Sequence, residues 1–476
     1  MNKVYKAHPL MVLSRIKPFL FVLILPFVRG FLQYLTDRTV SSILGIELTV
    51  FALIVGFSVL SCISFRLRIN GDTVNIRSGI IFVKRANIKI SSLSSVQSEQ
   101  NVLDTVFKAV TYSINTEAGR RNKSDFRFKL HVRDSKEVSR LLYGEKSSNR
   151  VKFSVLRVAI MAATTSSAFS GMVIGVPVIK KAGDLLGVAI YDMLFDEITN
   201  VSKKFTAVFP PVVNTITLIL LLGYGVSFVY SLLKYINFRI YLGEDKLEIR
   251  SGFFTRSRTS FRKSAVNDVR IEQTPFMTLV KRYAMKVSVG GYGDSKSESA
   301  VVMPCGSREE IMDSFSEYFP FLVQRDTRIR PYDNMFTRSR FLVMPAIYLL
   351  IIVPLSIILA SIFKEFDKLI FFITVVLLIM DFYFAYISYR ESRFGKLVLG
   401  ETIYAHSIKG LRISRLYCPK EKVGEIKIHR FLTDFPQKTC RVRVTVRSES
   451  ADSIRVRNIP YGKVKEEIYK CFGIKV

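Results

Sequence analysis

Histidine and cysteine are scarce in this chain, and their scarcity narrows its chemistry. The four histidines are His8, His131, His406 and His429, and none has zinc-type spacing to another or to a cysteine. The five cysteines, Cys62, Cys305, Cys418, Cys440 and Cys471, are scattered and odd in number. They indicate neither a disulfide framework nor a metal site, and reduced structural thiols are expected. A Walker phosphate loop and a Gly-x-Gly-x-x-Gly fingerprint are absent, as is a Gly-x-Ser-x-Gly elbow. Gly290-Gly291-Tyr292-Gly293 comes nearest to a phosphate cradle, but no helix follows directly to supply a dipole, so it reads as a hairpin turn. The expectation is a protein that is not an enzyme and holds no metal and no cofactor.

Acidic residues are also few beside the basic ones. Asp and Glu total 39 against 70 Lys and Arg, a net charge of +31. An excess of this kind suits nucleic acid or an anionic lipid surface. No helix-turn-helix or aromatic RNA-binding motif is present, so nucleic acid is not an expected partner. Anionic lipid attracts each nearby Lys or Arg by about 1 kcal/mol and is the simpler reading.

Apolar residues are plentiful and clustered. Six stretches, roughly 18–35, 40–64, 153–179, 208–233, 341–363 and 369–388, approach the ~20 residues that cross a bilayer. The first is the weakest, interrupted by Pro26 and Arg29, and lacks the small-residue cleavage site of a signal peptide. Charge is balanced on one side of these stretches. Asp37 and Arg38 cancel in 36–39, Lys364, Glu365, Asp367 and Lys368 cancel in 364–368, and 180–207 has four residues of each sign. The excess lies on the other side, which the positive-inside rule places, with both termini, in the cytoplasm.

The chain is built by duplication. Glu99-Gln100 and Glu272-Gln273 stand 173 residues apart, and at that offset Phe65-Arg66 matches Phe238-Arg239 and Ile76-Arg77-Ser78-Gly79 matches Ile249-Arg250-Ser251-Gly252. Repeats of this period mean repeated structural units. In the first copy, alternating segments end in a helix from about Asp134 with Val138, Leu141 and Leu142 on its apolar face. In the second, Ser307 to Glu310 is a capping box before Ile311, Phe315 and Phe319. A diverged third copy starts near Phe394 and closes with a helix from about Lys463 carrying Val464, Ile468 and Phe472. Short antiparallel strands closed by one amphipathic helix suggest a small barrel plugged by a helix.

These features, with His8-Pro9-Leu10 ahead of the first apolar stretch, the repeated Ile-Arg-Ser-Gly turn, and Val96 to Gln100 matching Val269 to Gln273, resemble the bacterial pleckstrin-homology (PH) domain membrane proteins, YdbT-like. The third copy lacks the Glu-Gln dipeptide. The resemblance implies a PH-like barrel in each copy. The expected fold class is membrane α plus β: six transmembrane helices in three hairpins, each followed by a cytoplasmic PH-like antiparallel β-barrel closed by a C-terminal helix. The boundaries expected are hairpins at 1–64, 151–236 and 323–390, and PH-like domains at 65–150, 237–322 and 391–476. The resemblance also implies an envelope-defence or bacteriocin-resistance setting.

Lys84, Arg85 and Lys89, and Arg256, Arg258, Arg262 and Lys263, follow the Ser-Gly turn in two copies and are the candidate lipid-binding residues. Arg and Lys donate charge-assisted hydrogen bonds to phosphate. The alternative for them is a solvated basic face. Glu99-Gln100 and Glu272-Gln273 read as structural. An amphipathic outer segment over 182–198 is expected to lie along the interface. Arg29 and Glu47 fall at matching depths in the first hairpin and are expected to pair, because a lone charge at a membrane helix centre costs roughly 2.5–3.5 kcal/mol. The function expected is binding, to anionic membrane lipids, to a membrane protein partner, or both. The rival is a transporter or transport-accessory subunit.

Overall fold

The structure is a computed structural model of the chain. It describes residues 3–16, 42–79, 83–116, 125–144, 149–167, 193, 196–197, 200, 211–290, 299–322, 335–409, 412–430, 434, 438–447 and 453–474. The chain divides into two compact units. One comprises Met1–Val151, Arg239–Ala265 and Val289–Glu298, the other Lys152–Phe238, Val266–Ser288 and Ser299–Val476.

In the first unit, β1 (Val4–Tyr5), β2 (Arg66–Asn70), β3 (Thr73–Ser78) and β4 (Lys84–Lys89) form an antiparallel sheet in that order. Apolar residues alternate along these strands, and Leu67, Ile69, Val74, Ile76 and Ile88 turn into one core. That core continues through β5 (Leu93–Gln100), β6 (Ala109–Thr116) and β7 (Phe126–His131) to Val138, Leu142 and Tyr143 of the helix Val132–Tyr143. The glycine of the repeated Ser-Gly turn is required: Gly79 and Gly252 have φ of 102° and 103°, which side chains with a Cβ avoid. The N-terminus is tied to this barrel. His8 N–H donates to the Lys129 carbonyl at 2.8 Å, Lys3 pairs with Glu137, and Leu10 N–H donates to His8 Nδ1 at 3.2 Å. Burial, and then His131 beside it, hold the His8 imidazole below its ordinary range.

The same unit holds β8 (Asn149–Lys152), β9 (Arg239–Leu242), β10 (Lys246–Ser251) and β11 (Arg256–Arg262). The sheet order is β7-β6-β5-β11-β10-β9-β8, so the second sheet of the first copy runs directly into the first sheet of the second. Val96 stands opposite Ser260 and Ser95 opposite Phe261. Opposite residues share a face, so the face that is core for one copy is polar in the next.

The second unit repeats the arrangement. It contains β12 (Val266–Gln273), β13 (Tyr283–Val289), β14 (Ala300–Gly306), β15 (Lys396–Val398), β16 (Thr402–Lys409) and β17 (Arg412–Pro419), in the order β14-β13-β12-β17-β16-β15. A separate sheet has β18 (Val423–His429), β19 (Thr439–Val446) and β20 (Ser453–Pro460) in sequence order. Leu397, Leu416, Val442, Val456, Val464 and Ile468 share one core, so the diverged third copy keeps both sheets and the closing helix Tyr461–Phe472.

The six-span expectation is corrected here. Among the described residues one helix, Ile216–Tyr235 within Pro211–Tyr235, is long and apolar enough to cross a membrane by length and composition. The 153–179 stretch begins as a helix of only 11 residues, Val155–Thr165, capped by Ser154. At ~1.5 Å per residue that is about half a hydrocarbon core. Val158, Met161 and Ala162 are buried in protein, and Arg157 pairs with Glu310 at 2.7 Å. Helices Ser42–Ile63, Met335–Ile362 and Asp367–Phe394 are long, but their described apolar runs, Thr49–Ile63, Tyr348–Ile362 and Leu369–Tyr383, are too short to qualify. Pro345 and Pro354 further interrupt Met335–Ile362. Residues 18–35, Arg29 of the expected ion pair, the side chain of Glu47 and most of 182–198 lie outside what is described.

Candidate functional site

The candidate cations divide by what their strands meet. On β4, Lys84, Arg85 and Lys89 are exposed, and β4 is an outer strand of its sheet. On β11, Arg258 is fully engaged. It makes a two-pronged pair with Glu248 at 2.7 and 2.8 Å, donates to Ser139 Oγ at 2.6 Å, and lies 3.8 Å over the Tyr143 ring. Tyr143 in turn bonds the Ser98 hydroxyl at 3.0 Å and donates to the Arg258 carbonyl at 3.2 Å. Burial pushes the Tyr143 phenol well above its usual range. Arg262 donates to the Ile90 carbonyl at 3.2 Å. Arg258 and Arg262 therefore hold the joint between copies. Arg256 is exposed and Lys263 half-buried. Lys84, Lys89, Arg256 and Lys263 have no acidic partner among the described residues.

The recurrent Glu-Gln dipeptide is structural in the second copy. Glu272 accepts from Lys286 at 2.9 Å and lies 3.5 Å from Arg412 of β17. Burial opposes its charge, but Lys286 and Arg412 outweigh it and hold the carboxyl below the usual carboxylate range. Gln273 donates to the Arg282 carbonyl at 3.0 Å, which fixes the base of the next hairpin.

That hairpin is a feature the sequence reading missed. The short helix Pro275–Leu279 presents Phe276, Leu279 and Val280 at 49%, 81% and 41% exposure, followed by Lys281 and Arg282. In the first copy, Val102–Val106 presents Val102, Leu103, Val106 and Phe107 at 53%, 61%, 68% and 55%, followed by Lys108. Lys108 and Lys281 share a left-handed backbone, φ 54° and 51°, that non-glycine residues rarely adopt. The inner residue of the second tip, Met277, packs with Met161, Ala284 and Tyr235, the last residue of the apolar helix that ends at Tyr235. Exposed apolar residues gathered at a lysine-flanked tip make it a candidate contact surface. The signal was available, because both clusters directly follow the Glu-Gln dipeptide at the repeat offset.

The thiols carry no reactive signature. Cys62, Cys305, Cys418 and Cys440 are buried and free, and burial pushes Cys440 up to about 12. Among the described residues, no group of three or more His, Cys, Asp or Glu side chains could hold a metal ion.

The family model for the bacterial PH domain matches residues 19–146 and 186–318. The UPF0699 transmembrane protein YdbT of Bacillus subtilis (strain 168) is 21% identical over 405 residues, which cover 78% of this chain and 78% of that protein. No solved structure matches the chain.

Proposed function

Because the chain belongs to the bacterial PH domain family, we propose that it is a membrane-held binding protein and not an enzyme. In this reading its PH-like domains lie against the anionic surface of a bacterial membrane. One observation carries the reading. The apolar tip Phe276, Leu279 and Val280, with its flanking Lys281, is built beside Tyr235, the end of the helix suited to cross a bilayer. A tip in that place meets the interface, where apolar side chains enter the acyl boundary and lysines reach back to headgroups. The transmembrane relative and the positive charge of the chain support the same placement. Lys84, Lys89, Arg256 and Lys263 are the cations left to meet headgroups, and a membrane protein partner is the companion ligand in this reading. An envelope-defence or bacteriocin-resistance role rests on family resemblance alone.

The test uses the full chain in bilayer nanodiscs of phosphatidylcholine with or without phosphatidylglycerol, and lysine acylation as the readout. Lys84, Lys89 and Lys263 are expected to acylate more slowly in the anionic discs at low salt. Raising the salt should erase the difference, since the Debye length is about 3 Å at 1 M. Equal rates in both discs at low salt would overturn headgroup contact.

A further inference from the structure

The two joints between copies follow one rule. Each copy has a one-turn 3-10 corner, Ile90–Ser92, Lys263–Ala265 or Lys420–Lys422, whose first N–H donates to the carbonyl of Asp72, Asp245 or Glu401. In the first joint, Ser260, third before its corner, pairs with Val96, fourth after the preceding corner. In the second, Tyr417 is third before its corner and pairs with Val269, again fourth after the preceding one. The strand before a corner thus docks on the strand after the previous copy's corner, in one register.

Two strands of this series are left over. β4 precedes the first of these corners, and β18 follows the last. Among the described residues, both are outer strands of their sheets. The joined strand β12 is buried along its whole length, whereas four of six residues in β4 and four of seven in β18 are exposed. We infer that β4 of one chain pairs with β18 of a second copy of the same chain, continuing the series from molecule to molecule.

The rule fixes the register. Asn87 is third before its corner and Ile426 fourth after its own, so these two face each other. Ala86 then faces Lys427, Arg85 faces Ile428, Lys84 faces His429 and Ile88 faces Glu425. No like charges stand directly opposite, whereas a one-residue slip would set Arg85 against Lys427, a destabilising pair. Lysines on an edge strand deter unspecific pairing, and here they discriminate between registers. Arg85 also occupies the position of Arg258 and Arg415. Arg258 covers the ring of Tyr143, and Arg415 lies 5.2 Å from the ring of Tyr283. The helices Val132–Tyr143 and Tyr461–Phe472 are both 12 residues long and both end at a positive-φ glycine, Gly144 or Gly473. By the pattern of the first joint, Phe472 of the second copy, whose ring Lys420 approaches at 5.8 Å, stands where Tyr143 stands and offers a ring to Arg85. Such a contact is heterologous, so it builds rings or open chains of copies and not only pairs. The inference goes beyond the lipid reading and does not depend on it.

Cysteine pairing in native membranes tests it. Opposite residues in an antiparallel ladder have Cα atoms about 4.5–5.5 Å apart, within disulfide range. The full chain carrying Ala86→Cys and Lys427→Cys is oxidised, with Asn87→Cys and Ile426→Cys as an independent second pair. Expected is loss of the monomer band to a ladder of dimer and larger species, absent from the parent chain. Ala86→Cys with Gly424→Cys, three residues or about 10 Å out of register, should not cross-link. Co-expressed single variants, Ala86→Cys on one tag and Lys427→Cys on another, should give a mixed dimer. Cross-linking confined to the monomer, equal cross-linking out of register, capture of a different protein, or no cross-link from either pair would each overturn the inference.

Discussion

Arg258 and Arg85 hold the same place in two copies of one motif, and their surroundings set opposite consequences for removing them. Arg258→Ala strips Glu248 of its two-pronged partner in a pair whose side chains are only 21% and 13% exposed. Glu248 keeps Arg250 as a partner, but the two-pronged pair and the Ser139 hydrogen bond are lost, which is expected to cost about 1–3 kcal/mol. Arg85→Ala removes an exposed side chain, with an effect expected within about 0.5 kcal/mol. Denaturant unfolding of the purified chain in detergent checks both, and equal losses would show that the joint does not use Arg258 as described. The sequence marked both arginines as equivalent cations and could not separate them. Their difference comes from Ser139 and Tyr143, more than 110 positions away in the chain, which no local pattern links to β11. Glu272 was expected to be structural, and it pairs with Lys286 and Arg412; recurrence in duplicated folds follows shared packing as readily as shared chemistry.

At the scale of elements, most strands were legible because apolar residues alternate along them and Gly71, Gly79 and Gly252 mark the turns. The closing helices were legible from their 3.6-residue apolar spacing. Sheet pairing was not, because β5 reads as a strand whether its neighbour is β4 or β11. The helix Val155–Thr165 was misread for a related reason. Its composition is that of a membrane segment, while three of its residues, Val158, Met161 and Ala162, are buried against protein. The shared sheets have a consequence for the second copy, whose strands β9–β11 belong to one compact unit and β12–β14 to the other. Residues 237–322 expressed alone would leave β11 and β12 as open edges and lose the neighbours that bury them. That fragment is expected to aggregate or to lack a cooperative thermal transition by circular dichroism. A sharp, reversible transition would show that the copy folds independently of its joints.

For the whole molecule, the duplication, the basic surplus and the family were all visible in the residues, and the family match confirms the resemblance. The number of spans was not: among the described residues only Ile216–Tyr235 has the length and composition to cross, and Val155–Thr165 is short with three residues covered by protein, which hydropathy does not register. The exposed apolar tips escaped because five-residue helices such as Val102–Val106 and Pro275–Leu279 have no periodicity of their own. Those tips carry the central claim that the PH-like domains lie against the bilayer, and lipid quenching tests it most directly. An environment-sensitive fluorophore is attached to the full chain at Leu279→Cys or Val106→Cys, with Asn70→Cys as a strand-turn control, in nanodiscs containing brominated lipid. Both tip probes are expected to be quenched strongly and the control weakly. Tip probes quenched no more than the control would place the tips in water and contradict the account.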